Sequence, residues 1–170
     1  MEIEIRRETI ATIVISLLLL VFGLIGYAAS PLDDAGRPVL LLPDVRAVEE
    51  YRRSVSGWAE RWRALDTALQ EIVVGDANSD LLAVSRKAQR TFEQTVALAR
   101  EVDAAESPAS MLGLREQASA SALTYVEASV AVARWVSAPS VENRDAAQQA
   151  LVGAGQSLVT LEQNEWIRSR

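Results

Sequence analysis

Hydrophobic positions divide the chain into one continuously apolar stretch and four stretches with helical periodicity. Residues 10–29 contain no charged side chain. After Pro43, apolar residues recur at intervals of three and four, and Gly, Pro and Ser interrupt the pattern between stretches. No stretch beyond residue 29 alternates apolar and polar residues as a half-buried strand does. The pattern therefore predicts an all-α protein.

The apolar stretch at residues 10–29 is predicted to be a transmembrane helix of the signal-anchor type. A helix of twenty residues spans about 30 Å, which matches the hydrocarbon core of a bilayer. The alternative is a cleaved signal peptide, with Arg6 and Arg7 before the stretch and small residues at 28–30 as the cleavage site. Because the stretch exceeds the roughly 7–15 apolar residues of a signal peptide, and Pro31 would follow the cut, we expect an uncleaved anchor.

Charges beside the apolar stretch predict its orientation in the bilayer. Arg6 and Arg7 precede the stretch, whereas two aspartates are the first charged residues after it. The positive-inside rule therefore favours a cytoplasmic tail at residues 1–9. We expect a single-pass protein of the cell membrane whose residues 44–170 form an extracytoplasmic domain.

Residues 30–43 are predicted to be a linker, because three of the five prolines and one glycine lie there. Four adjacent apolar residues occupy its centre, namely Val39, Leu40, Leu41 and Leu42. Water disfavours exposure of four such side chains, so we expect them to dock on another surface. That surface is either the base of the chain's own helical domain, or the membrane interface or a partner subunit.

Four helices are predicted after the linker. Turn residues place them at residues 44–74, 79–102, 108–136 and from 140 onward. Ser79 and Ser107 are the predicted caps of the second and third helices, and Pro108 is expected at the first position of the third. Short turns place consecutive helices side by side in opposite directions, so we expect an up-down-up-down antiparallel four-helix bundle.

Residues at three-four spacing define the apolar face of each helix. The first face contains Val48, Tyr51, Val55, Trp58, Trp62, Leu65, Leu69 and Ile72. The second contains Leu81, Val84, Ala88, Phe92, Val96, Ala99 and Val102. Trp58 and Trp62 are expected to face small residues of the third and fourth helices, which would preserve interior density. An aromatic ligand pocket is the alternative interpretation of the two indoles.

Three surfaces are candidate partner interfaces. The third helix carries a second apolar stripe that includes Leu123, Val126 and Val130, beside the stripe expected in the core. Either the bundle buries this wide stripe or a neighbouring subunit does. Trp166 and Ile167 near the C-terminus suit a protein interface or the headgroup region, and a frayed tail is the alternative. The four apolar linker residues are the third candidate.

Composition and charge limit the possible chemistry. The chain has no His and no Cys, which excludes zinc sites built on those residues, disulfides and Ser-His or Cys-His catalytic pairs. The Glu-x-x-His pairs of di-metal bundles are also missing, and the acidic residues of the first helix have the spacing of surface ion pairs. A net charge of -6 argues against nucleic acid as a partner. We therefore expect no catalytic residue, no metal and no cofactor.

Two functions fit these expectations. The favoured hypothesis is a non-catalytic accessory or scaffold subunit of a larger membrane complex, such as an energy-transducing or transport assembly. It would contact the bilayer through residues 10–29 and other membrane subunits through its apolar surfaces, and the arginine-rich composition points to a bacterial source. The alternative is an extracytoplasmic sensory or ligand-binding bundle that signals through a partner. A sensor should show a polar pocket between helices, whereas a scaffold should show a dry core and an apolar outer patch.

Overall fold

The computed structural model describes the backbone of residues 7–29, 43–75 and 80–168, and the side chains of residues 15–26, 44–75 and 80–168. These residues form helices and the turns between them, and they include no strand. The prediction of an all-α protein is therefore confirmed. The helices are α1 (Arg7–Ala29), α2 (Pro43–Val74), α3 (Leu81–Ala104), α4 (Leu112–Ser137), α5 (Val141–Glu162) and α6 (Glu165–Arg168).

The chain divides into two compact units between Arg46 and Ala47. The first unit contains α1, a continuous helix of 23 residues that includes the whole apolar stretch. Its described side chains at residues 15–25 are exposed, for example Leu17 at 63% and Phe22 at 68%. Among the residues whose side chains the structure describes, no helix is both long enough and apolar enough to cross a membrane.

The second unit contains α3 to α6 and nearly all of α2, and the core lies where these helices meet. Seven of the eight residues predicted for the apolar face of α2 are buried, and the eighth, Val48, is partly buried against the same core. On α5 all five residues at three-four spacing are buried: Ala147, Leu151, Ala154, Leu158 and Leu161. Burial of each large apolar side chain contributes about 1.5–3 kcal/mol, so these stripes are the main source of stability.

The buried face of α3 differs from the predicted one. Phe92 and Val96 were expected in the core but are only half-buried, whereas Thr91 and Thr95 are buried. Each threonine hydroxyl donates to the carbonyl oxygen four residues earlier, Thr91 to Lys87 at 2.9 Å and Thr95 to Thr91 at 2.8 Å. The polar atom is satisfied within the helix, so threonine can occupy the interior. A pattern that counts threonine as polar misses this face.

The helix starts also correct two predicted caps. Asp80, not Ser79, caps α3, because its Oδ1 accepts a hydrogen bond from the Leu82 backbone N–H at 3.0 Å. Before α4 a 3₁₀ turn spans Ala109–Met111, and Ser107 makes no capping hydrogen bond there. The start of α5 agrees with the prediction: Ser140 Oγ accepts from the Asn143 backbone N–H at 3.1 Å.

Polar contacts join the helices of the second unit. Trp58 Nε1 of α2 donates to Glu101 Oε1 of α3 at 2.8 Å, and Lys87 Nζ of α3 contacts Glu71 Oε2 of α2 at 2.6 Å. Residue numbers rise along α2 while those of their partners fall along α3, as they do in antiparallel helices. α4 packs against both α3 and α5. The second unit is therefore a helical, bundle-like domain.

Candidate functional site

The outer stripe of α4 is the predicted partner surface that the structure leaves open to solvent. Leu123 is 61% exposed, Val130 is 42% exposed, and Val126 between them is half-buried. The neighbouring Tyr125 and Ala128 are buried, so the core face and the outer stripe of α4 are distinct. The alternative that the bundle itself buries this stripe does not hold for Leu123 or Val130.

A shallow groove of about 240 Å³ runs beside this stripe, between α3 and α4. Leu123 and Val126 form one side of it, and Ala99 and Val102 form the other. Asp103 is the charged residue among the lining residues that the structure describes. Small and apolar walls of this kind accept an apolar side chain from a partner helix, as in helix-in-groove recognition.

The structure places the other predicted interface residues differently. Trp166 and Ile167 lie in α6 and are half-buried, because both pack against the core. Asn164 holds this turn in place: its Oδ1 accepts from the Trp166 backbone N–H at 3.0 Å, and its Nδ2 donates to Gln117 Oε1 of α4 at 2.8 Å. The C-terminal turn is therefore docked on the domain, and the frayed tail is not observed as far as Arg168. Val39, Leu40, Leu41 and Leu42 lie outside the described residues.

A polar cluster that the sequence analysis missed lies between α2 and α4. The rings of Trp62 and Tyr125 stack with their centroids 5.0 Å apart and their planes 10° from parallel. Trp62 Nε1, the Tyr125 hydroxyl and Asp66 Oδ1 are buried without a hydrogen-bond partner among the described residues. Trp62 was expected to face small residues, but its ring stacks on the ring of Tyr125. Small residues such as Ala122 and Ala154 are nevertheless buried on α4 and α5.

Burial dominates the electrostatics of this cluster. It raises the pKa of the Asp66 carboxyl above its usual value, because the charged form loses hydration. Burial also raises the pKa of the Tyr125 hydroxyl, and the negative charge of Asp66 adds to this effect. Tyr125 is therefore neutral at physiological pH. The signal in the sequence was a tyrosine in the middle of an apolar stripe, which needs a polar partner for its hydroxyl.

A pocket lies at the end of the domain where α2 and α4 finish and where α3 and α5 begin. It has a volume of about 550 Å³. Its apolar lining residues are Ile72, Val74, Leu81, Val84, Trp135, Val136 and Pro139. Glu71, Lys87 and Arg144 are its charged lining residues. Sequence reasoning did not find this pocket because its walls come from four helix ends that are distant along the chain.

The remaining charged groups do not form a metal centre in the described part of the chain. No group of three or more His, Cys, Asp and Glu residues able to hold a metal ion occurs among the described residues. Glu49 illustrates their role: its carboxylate accepts two hydrogen bonds from Arg52, at 2.8 and 2.9 Å, and this contact lowers the pKa of Glu49. Surface ion pairs of this kind were expected from the spacing of charges on α2.

Comparison with protein families, with curated proteins and with solved structures finds no match to this chain.

Proposed function

We propose that this protein is a non-catalytic, single-pass membrane protein that acts as an accessory or scaffold subunit of a larger membrane complex, for example an energy-transducing or transport assembly. The exposed outer stripe of α4, beside its apolar groove, is the observation that carries the proposal. Leu123 at 61% and Val130 at 42% exposure give up hydrophobic stabilisation that a partner surface would recover.

The membrane anchor is the second part of the proposal. Its support is the uncharged stretch at residues 10–29, which lies within a single helix, α1. A helix of 23 residues has a length of about 35 Å, which suits the hydrocarbon core with a modest tilt. Arg6 and Arg7 before the stretch favour a cytoplasmic N-terminus and an extracytoplasmic helical domain.

For the helical domain we propose an up-down-up-down four-helix arrangement of α2, α3, α4 and α5. Polar contacts link α2 to α3, α2 to α5 and α4 to α5, for example Arg63 with Glu162 at 2.6 Å and Ser121 with Ser157 at 3.0 Å. α3 packs on α4. These four pairings support the proposed ring, in which each helix would have two neighbours, as in antiparallel bundles.

A helical segment of another membrane subunit is the proposed occupant of the α3–α4 groove. Apart from Asp103, its lining residues are small or apolar, so the groove suits apolar side chains such as Leu or Ile from a helix that crosses it. Asp103 at the rim would favour a basic residue beside that apolar contact. A rigid domain with an apolar outer stripe fits a scaffold better than an enzyme.

The test is mild detergent extraction of the native complex, followed by native gel electrophoresis and mass spectrometry. We expect the protein to migrate with larger membrane subunits in fixed stoichiometry. Leu123→Glu should abolish that co-migration, because a charge would enter the interface core. Val152→Glu is the matched control, since Val152 of α5 is equally exposed, at 61%, and lies away from the groove.

Two results would overturn the proposal. One is a wild-type protein that migrates as a lone monomer or homodimer under conditions that preserve other membrane complexes. The other is equal loss of co-migration in both glutamate variants, which would mean that added charge, not the groove, causes the effect. Far-ultraviolet circular dichroism of both variants checks that each retains its helices.

A further inference from the structure

We propose that the 550 Å³ pocket at the Val74 end of α2 binds small organic anions that have an apolar body and a carboxylate, with Arg144 as the residue that binds the carboxylate. This proposal assigns a ligand site in addition to the subunit role. It rests on different residues from those of the α3–α4 groove, so either proposal can fail without the other.

The walls of the pocket suit an apolar body. Ile72 is buried at its base, and Val84 and Val136 are half-buried around it. Trp135, also half-buried, gives one wall an aromatic ring. A volume of about 550 Å³ lies within the range of about 300–1,000 Å³ that holds small-molecule ligands in other proteins, where apolar walls supply most of the contact area.

The charges around the pocket indicate an anion. Lys87 is already neutralised, because its Nζ lies 2.6 Å from Glu71 Oε2. Arg144 makes no salt bridge with any residue that the structure describes, although the chain as a whole carries a net charge of -6. The described lining therefore carries one positive charge without a counter-ion, next to apolar walls.

A carboxylate is complementary to this charge in its geometry. The guanidinium group presents parallel N–H donors that bind the two oxygens of a carboxylate in a bidentate geometry. Arg144 lies in the first turn of α5, where the positive potential of the helix dipole is opposed by the carboxylate of Glu142 in the same turn. A cationic ligand would meet repulsion from the same features, and a purely polar anion would leave the apolar walls unfilled.

Calorimetric titration of the full chain in lipid nanodiscs tests the proposal, with 2-naphthoate as the probe and empty nanodiscs as the blank. We expect saturable binding of 2-naphthoate. 2-Naphthylmethanol and 2-naphthylmethylammonium, which have the same ring without the negative charge, should bind at least about tenfold more weakly. Equal binding of the cationic probe, or no binding of 2-naphthoate, would overturn the proposal.

Two substitutions locate the site. Arg144→Gln should weaken 2-naphthoate binding about tenfold, whereas Arg86→Gln, the same change at an exposed arginine outside the pocket lining, should leave it unchanged. Val84→Trp should weaken binding by taking up part of the pocket while keeping Arg144. If the larger side chain prevents folding, as judged by thermal unfolding, comparison of Arg144→Gln with Arg86→Gln still tests the proposed site. Unchanged affinity of Arg144→Gln would overturn the assignment.

Discussion

Asp66, Trp62 and Tyr125 place polar atoms without hydrogen-bond partners between α2 and α4. A charged carboxylate in such a place loses hydration, and the resulting rise in the pKa of Asp66 means that the folded protein binds its proton more tightly than the unfolded chain does. Two contacts compensate in part: Asp66 Oδ2 accepts a hydrogen bond from Gln70 Nε2 at 2.6 Å, and the neighbouring Tyr125 hydroxyl lowers the pKa of Asp66. The ionised form of Asp66 is therefore a source of instability at neutral pH.

Asp66→Asn should raise the melting temperature at pH 7, because the amide keeps the shape and an acceptor oxygen without the charge. A raised pKa in the folded state lowers stability as the pH rises from the unfolded value, near 3.8, through the folded value. The gain from Asn should therefore be complete above the folded pKa and disappear near pH 3, where wild-type Asp66 is neutral as well. Thermal unfolding of both proteins between pH 3 and pH 8 measures this dependence.

Asp145→Asn is the control for this prediction. Asp145 is an exposed residue of α5, so its substitution changes the net charge equally without relieving a buried carboxylate. A pH-independent difference between wild-type and Asp66→Asn proteins, or an equal gain in the control, would contradict the role assigned to burial.

At the scale of the helices, turns and caps set where each element begins. Ser140 satisfies the Asn143 backbone N–H at the start of α5, and Asn143 Nδ2 in turn donates to the Ala138 carbonyl at 2.7 Å. These bonds fix the tight connection between α4 and α5. Pro139, which belongs to this connection, also lines the 550 Å³ pocket.

Ser140→Ala should lower the free energy of unfolding by about 1 kcal/mol, because the Asn143 backbone N–H loses its acceptor. Ser137→Ala is the matched control: Ser137 is also exposed, and its Oγ donates only to the Ala133 carbonyl within α4. We expect that change to have little effect. Urea unfolding followed by circular dichroism compares the variants, and equal losses in both would rule out a capping role for Ser140.

The helices show what the spacing of apolar residues can and cannot predict. On α2 the three-four pattern identified the buried face, because large aliphatic and aromatic residues occupy it and charges occupy the other side. On α5 the same spacing identified the five buried residues, although residues 146–161 carry no charge. On α3 it succeeded only in part: Ala88 and Val102 are buried as predicted, but Phe92 is half-buried, and Thr91 and Thr95 pack inside with their hydroxyls bonded to the helix backbone. Neither the stacking of Trp62 on Tyr125 nor the end pocket could be predicted, because both depend on how far one helix is shifted along another.

For the molecule as a whole, the proposed anchor and the proposed partner surface require two different environments. The anchor requires residues 10–29 to lie in lipid, whereas the outer stripe of α4 requires a subunit beside the helical domain. Both follow if the domain stands outside the membrane next to a larger subunit. The orientation then decides which compartment supplies the partner and the organic anion.

Labelling of single cysteines tests the orientation directly, because the wild-type chain contains no Cys and gives no background. Ser85→Cys places a thiol on an exposed position of α3, and Glu2→Cys places one before the apolar stretch. With a membrane-impermeant maleimide, intact cells should label Ser85→Cys, and Glu2→Cys should react only after permeabilisation. The reverse pattern would place the domain in the cytoplasm, and labelling of both in intact cells would contradict a single-pass topology, since one uncleaved span separates its two flanks by the bilayer.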